Sequence, residues 1–219
     1  MSKTSRIRVE KDLIRAAREL GTKNRDLLDR AGVRACNIMG AIGSGKTSLI
    51  EKTIERLKAD YRIAVIAGDI IADFDSARFR KYDVPVVPLN TGKECHLDAN
   101  LVRQALEQLK LDGIDLLFIE NVGNLICPSD FYLGEHKRVI VVSVTEGDAI
   151  VAKHPAIFKS ADVAIINKVD VAPFIGADPE RMLSDARRNV PLAFQTSLRT
   201  GLGLEQWLNW VRNDLATAT

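Results

Sequence analysis

Gly40-Ala41-Ile42-Gly43-Ser44-Gly45-Lys46-Thr47 carries the spacing G-x-x-x-x-G-K-[ST]. Glycines permit the turns that aim successive backbone N–H groups at one anion. A helix opening from the motif adds the positive end of its dipole. Lys46 then offers a point charge to the outer phosphates of a nucleotide, and the Thr47 hydroxyl can enter a Mg²⁺ shell. An apolar, strand-sized run precedes the motif and a helical pattern follows it. That context separates phosphate binding from a chance Gly-rich turn.

A phosphate loop does not choose its base. Asn167-Lys168-Val169-Asp170 follows the apolar run 163–166 and has the N-K-x-D pattern of guanine readers. An Asp carboxylate accepts hydrogen bonds from the ring N–H and exocyclic amine of guanine. Adenine offers neither at that edge and would leave the carboxylate desolvated and unpaired. The Lys168 stem can cover the base, and the Asn167 amide can tie the loop together. Thr196-Ser197-Leu198, after a weaker strand candidate, is expected to be a second base-contacting loop through Ser197 and Leu198. The expected nucleotide is therefore GTP or GDP.

Glu120-Asn121-Val122-Gly123 follows the apolar run 116–119. An acidic residue there can serve Mg²⁺ or its water, and the glycine N–H can sense a γ-phosphate. Residues 68–75 form a second acidic loop, with Asp69, Asp73 and Asp75. Asp73 or Asp75 could instead cap the helix expected after them, and for Asp75 both readings stand. Asn124 occupies the place of the usual water-orienting Gln, so slow intrinsic hydrolysis is expected.

Cys95-His96 precedes a helical pattern beginning near Asp98, and Cys127 lies seven residues beyond Glu120. Seven residues reach at most about 25 Å. Both segments leave strand candidates at the edge where a nucleotide collects. Thiolates and imidazole suit Zn²⁺ or Ni²⁺ rather than Mg²⁺. Three donors leave a tetrahedral shell one short, to be completed by water or by a second subunit. With no C-x-x-C pair, packed or incidental thiols fit the spacing as well. Cys36 is expected in the core, and the isolated His136 and His154 at the surface or at helix ends. A Cys–His nucleophile dyad has no orienting third member nearby.

The elements that must position these residues alternate. Apolar runs at 35–39, 63–67, 84–88, 116–119, 139–144 and 163–166, with a weaker one at 192–194, read as strands. Helical patterns at 46–57, 98–109, 179–188 and 204–215 fall between them. Several runs are apolar throughout, as in strands covered on both faces. The fold class is α/β, with a mostly parallel sheet and flanking helices. Residues 11–30 read as helical, interrupted at Gly21 and Asn24, so one helix or two shorter ones fit equally. The expected organisation is a helical extension over 1–32, packed on a nucleotide-binding domain over 33–219. A chain of 219 residues can build one substantial core. Its net charge of +2 and lack of an aromatic-studded basic stripe argue against nucleic acid as a partner. No apolar run is long enough for a bilayer and no signal peptide is visible, so no membrane partner and a cytoplasmic location are expected. Three cysteines without a signal peptide are expected to be reduced thiols.

Taken together, residues 40–47, 90–99, 120–128 and 167–170 resemble the hydrogenase nickel-insertion GTPase family HypB, a likeness that runs from about Asp12 onward. The resemblance implies a P-loop NTPase of the signal-recognition/MinD-type (SIMIBI) class. It implies GTP hydrolysis, dimerisation dependent on nucleotide, and nickel delivery to the [NiFe]-hydrogenase large subunit precursor, together with the small metallochaperone HypA. By motif match, Gly40, Ile42, Gly43, Ser44, Gly45, Lys46, Thr47 and Ser48 would hold the phosphates. Asn167, Lys168, Asp170, Ser197 and Leu198 would hold the base. Cys95, His96 and Cys127 would be Ni²⁺ or Zn²⁺ ligands at a homodimer interface. By analogy with related chaperone GTPases, Asp69, Asp75 and Glu120 would serve Mg²⁺ and the γ-phosphate beside Lys46 and Thr47. Residues 1–35 contain no Cys or His, unlike family members with an N-terminal nickel motif or His-rich tract, leaving the 95–127 donors to carry metal. Nickel insertion into another enzyme such as urease, a P-loop small-molecule kinase, and a regulatory G protein with inert thiols are the alternatives. The kinase reading leaves residues 167–170 unexplained.

Overall fold

Strands that are apolar on both faces need cover on both, and helices supply it here. The computed structural model describes residues 3–69, 74–92 and 95–217, with residues 3–14, 69, 74 and 75 described by backbone alone. The strands are β1 (Arg34–Met39), β2 (Ile63–Asp69), β3 (Val86–Asn90), β4 (Leu116–Glu120), β5 (Lys137–Ser143), β6 (Val163–Asn167) and β7 (Leu192–Gln195). They form one parallel sheet in the order β3-β2-β4-β1-β5-β6-β7. The helices are α1 (Lys3–Ala31), α2 (Lys46–Leu57), α3 (Phe74–Arg80), α4 (Ala99–Leu109), α5 (Ile150–Lys153), α6 (Pro155–Lys159), α7 (Ala172–Ile175), α8 (Pro179–Arg187) and α9 (Leu204–Trp210). Among the described residues no helix is long and apolar enough to cross a membrane.

One face of the sheet meets α2 and α9 through Cys36, Ile38, Leu49, Ile50, Phe118 and Trp207, all fully buried. Trp207 spends its one polar group well, donating from Nε1 to Thr53 Oγ1 of α2 at 2.7 Å. The other face meets α4 and α1 on the β2–β4 side and α8 on the β5–β7 side. Asp98 caps α4, its side chain accepting from Leu101 N–H at 2.8 Å.

The N-terminal residues form the single helix α1, not two. Asn24 is fully buried and donates from Nδ2 to the carbonyls of Ala99 at 2.7 Å and Leu133 at 3.0 Å. It reads as a break in an apolar face but works as a docking group. β3 begins at Val86 rather than 84, because Asp83 has φ 61° and Pro85 has no N–H to give a ladder. The last helix ends as α at Trp210 and continues through Leu215 as a wider π turn.

Candidate nucleotide and metal site

β1 lies between β4 and β5, so the phosphate loop leaves the middle of the sheet with loops on either side of it. That is where ligands of a parallel sheet gather. Gly45 begins α2 with φ 109°, in left-handed territory. A Cβ there would come within 2.2 Å of Asn167 Nδ2. That amide crosses from β6 to donate to Ser44 O at 2.8 Å, so the motif glycine is what lets the base loop strap the phosphate loop. Lys46 donates from Nζ to the carbonyls of Gly40 at 3.0 Å and Ala41 at 3.2 Å. Ser44 is fully buried, and its Oγ has no hydrogen-bond partner among the described residues. Loop conformation, cation, helix start and a buried hydroxyl all fit a phosphate chain.

Thr47 Oγ1 donates to Glu120 Oε1 at 2.6 Å, and Glu120 is 2 % exposed. A hydroxyl and a carboxylate joined beside a phosphate loop are the hard oxygen donors that Mg²⁺ prefers. Ser48 Oγ accepts from Arg78 at 3.2 Å. Ile42 projects from the loop, 80 % exposed. Asp69 ends β2 opposite Asn90 of β3, and Asp75 lies in the first turn of α3. The side chains of both lie outside the described residues, as does Asp73.

On the other side of the loop, Asn167 Oδ1 accepts from Thr196 Oγ1 at 2.9 Å, joining three segments through one amide. Lys168 takes a left-handed φ of 62°, which turns the chain so that Asp170 faces Ser197. Asp170 Oδ1 accepts from Ser197 Oγ at 2.7 Å and Oδ2 from Arg199 Nε at 3.0 Å. The Ser197 bond first, and Arg199 with it, hold the Asp170 carboxyl below its ordinary range, so it is ionised and ready to accept. A cavity of about 470 Å³ opens here, lined by Gly45, Ser48, Asn167, Lys168, Asp170, Val171, Phe174, Leu198 and Arg199. It suits a planar, apolar-faced ligand with a polar edge. Arg199 and Phe174, the latter 84 % exposed, are lining residues that the motif reading missed. An Arg directly after Thr196-Ser197-Leu198 was the available signal.

Cys95 and Cys127 share one neighbourhood: the Cys127 thiol first, and desolvation with it, pushes the Cys95 thiol above the ordinary thiol range. Cys95 Sγ lies 3.8 Å from His96 Nδ1. The His96 ring stacks on Phe131 with centroids 3.7 Å apart. Cys127 begins a single 3-10 turn, Cys127–Asp130. Among the described residues, no group of three or more His, Cys, Asp or Glu side chains is arranged to hold a metal ion. Cys36 is fully buried core, as expected. His154 sits between α5 and α6 at a helix end. His136 is a correction: its side chain is 1 % exposed, far from a surface role. Its Nδ1 accepts from Ala35 N–H at 3.0 Å, and its Nε2 meets Asp29 Oδ1 at 2.8 Å, because residues 135–136 pass between α1 and β1.

Residues 34–194 match the family described as "CobW/HypB/UreG, nucleotide-binding domain". The chain is 56% identical over 209 residues to the probable hydrogenase maturation factor HypB of Methanocaldococcus jannaschii, covering 94% of this chain and 95% of that protein. The crystal structure of hydrogenase maturation factor HypB from Archaeoglobus fulgidus superposes with a TM-score of 0.86 at 48% identity, over 91% of this chain and 98% of the other. That of HypB from Helicobacter pylori in complex with nickel gives 0.85 at 31% identity, over 93% and 99%.

Proposed function

Because the chain belongs to the HypB hydrogenase maturation factors of the CobW/HypB/UreG nucleotide-binding family, we propose that it is a GTP-hydrolysing metallochaperone that releases nickel for [NiFe]-hydrogenase. Residues 1–32 would be an extension on a G domain spanning 33–219. The observation that carries the reading is the single loop leaving β4. It begins at Glu120, bonded to Thr47, and runs to Cys127, which neighbours Cys95.

In this reading Asp170 and Ser197 select guanine, and Lys46 and the phosphate-loop N–H groups take up charge on the β- and γ-phosphates. Thr47 and Glu120 would hold Mg²⁺, which would neutralise charge on the leaving phosphates. Asp69 and Asp75 would assist at the γ-phosphate edge. Asn124 stands where a water-orienting Gln would act, so hydrolysis by the isolated protein is slow, and a rapid single-turnover rate would refute this. Nickel, or Zn²⁺ in its place, is cargo on Cys95, His96 and Cys127. A second copy of the chain would complete the ligand shell, since one chain offers a set that is short. The small metallochaperone HypA and the hydrogenase large subunit precursor would be donor and recipient, in the cytoplasm. Metal titration with GDP and with a non-hydrolysable GTP analogue tests the switch. Unequal affinities are expected, and equal ones would sink it.

A further inference from the structure

Between the phosphate end and the thiols, two asparagines bind across the loop that leaves β4. Asn121 is 1 % exposed. Its Oδ1 accepts from Val122 N–H at 3.0 Å and from Leu97 N–H at 3.1 Å. Its Nδ2 donates to Asn37 Oδ1 of β1 at 3.3 Å. Leu97 directly follows His96 and is fully buried. It sits against the end of β2, where a Cβ on Gly68 would come within 2.9 Å of its side chain. The Cys95-His96 segment is therefore pinned through Leu97 to the residue next to Glu120.

Asn124 serves the other thiol. Its backbone bridges Gly40, the first glycine of the phosphate loop. Its Oδ1 accepts from Ile126 N–H at 2.9 Å, one residue before Cys127. Behind the loop, Arg138 pairs with Glu135 and donates to Ser129 O at 3.0 Å and Phe131 O at 2.9 Å, which stiffens the far side.

We propose that Asn121 and Asn124 are the positioning residues that carry the state of the phosphate end to the metal donors, Asn121 to Cys95 and His96, Asn124 to Cys127. The assignment rests on the metallochaperone reading. Glu120 touches Thr47, and Gly40 accepts from Lys46, so both respond when phosphate oxygens arrive. Asn121 is bound to follow Glu120, and Leu97 is bound to follow Asn121, because a lagging segment would orphan a buried N–H. The same holds for Gly40, Asn124 and Ile126. Two short rigid links thus give a contiguous path between two sites.

The test is Ni²⁺ and Zn²⁺ titration of the full, reduced chain, with GDP and with a non-hydrolysable GTP analogue. The wild type is expected to show affinities that differ between the two states, by a factor within the usual range of about 5–150-fold. In Asn121→Ala and Asn124→Ala that ratio falls to about two-fold or less. GTP affinity and the nickel–thiolate absorption of the GDP state remain. Asn124→Asp keeps the accepting oxygen toward Ile126 N–H and restores the ratio. A merely structural role would weaken metal binding equally in both nucleotide states and leave the ratio intact. Should Asn121→Ala fail to fold, the half-exposed Asn124 carries the test alone. A wild-type ratio that survives in the alanine variants overturns this assignment only. Equal affinities in the wild type overturn the switch itself, and the assignment with it.

Discussion

The loop after β6 and the phosphate loop are strapped to each other by Asn167, with Ser44 on one side and Thr196 on the other. Cys95, His96 and Cys127 have a looser setting: two neighbouring thiols, an imidazole stacked on Phe131, and no closed ligand set among the described residues. One end of the molecule is organised before its ligand comes, and the other has its donors gathered but not arranged. Preorganisation favours tight, selective binding. Its lack favours a site whose affinity another event can change. Under the proposed function, a protein that keeps a nucleotide and surrenders a metal would need the two ends to differ in this way.

The sharpest way to break the contrast is Gly45→Ala. A left-handed non-glycine backbone alone costs about 1–3 kcal/mol. Here the new methyl group also meets Asn167, so GTP affinity should fall by about 100-fold or more by isothermal titration. If the loop is as preorganised as its hydrogen bonds suggest, it has no room to adapt, and an unchanged affinity would refute that. Asp170→Asn should cost GTP about 100-fold and shift preference toward xanthine nucleotides, while Ni²⁺ binding without nucleotide stays as it was. Unchanged GTP binding would remove Asp170 from the base site. Cys95→Ala should reverse the pattern. Ni²⁺ affinity should drop by about ten-fold, with GTP affinity within about two-fold of wild type. A loss on the nucleotide side would show that the two ends are less separate than drawn.

His136 supplies a pH handle on the segment behind the thiol turn. Burial first, with Arg25 and Arg34 nearby, lowers its pKa below the ordinary 6.5, against the pull of Asp29. Nδ1 accepts from Ala35 N–H, so Nε2 carries the proton and donates to Asp29. Below about pH 6.5 the unfolded chain binds a proton here that the folded chain refuses. Stability is full above the unfolded value and is lost as pH falls toward the folded one. Urea melts between pH 7.5 and 5 should show this loss, and His136→Gln should flatten that part of the profile. The smallest effect is expected of Arg199→Ala. Its pair with Asp170 is exposed, and such pairs alter binding by about five-fold at most. A larger change in GTP affinity would make Arg199 part of the base site rather than its rim.

The chemistry of the nucleotide end was legible because each motif is short in sequence and acts through local backbone physics. Residues 40–47 and 167–170 each lie at a strand end, and seven apolar runs marked the strands. What periodicity does not contain is strand order. β4 lies between β1 and β2, and this brings Asn121 to Leu97 across 24 residues of sequence. In sequence, therefore, Asn121 reads only as a spacer in the Glu120–Gly123 motif and Asn124 only as the residue in place of a water-orienting Gln. Asn24 was misleading for a related reason. A polar residue inside an apolar helical face suggests a break until the two carbonyls it binds, from α4 and from the turn before β5, are in place. His136 looked isolated because both of its partners come from far along the chain.

The strap made by Asn167 bears on how the pocket would meet its ligand in pieces. One amide touches the phosphate loop and the base loop together, so neither can settle without the other. Because the strap is already made, guanosine and pyrophosphate would each meet a finished loop, and neither would have to order it for the other. The two fragments would then bind independently, and the ribose ester joining them would add only the local concentration of a tether.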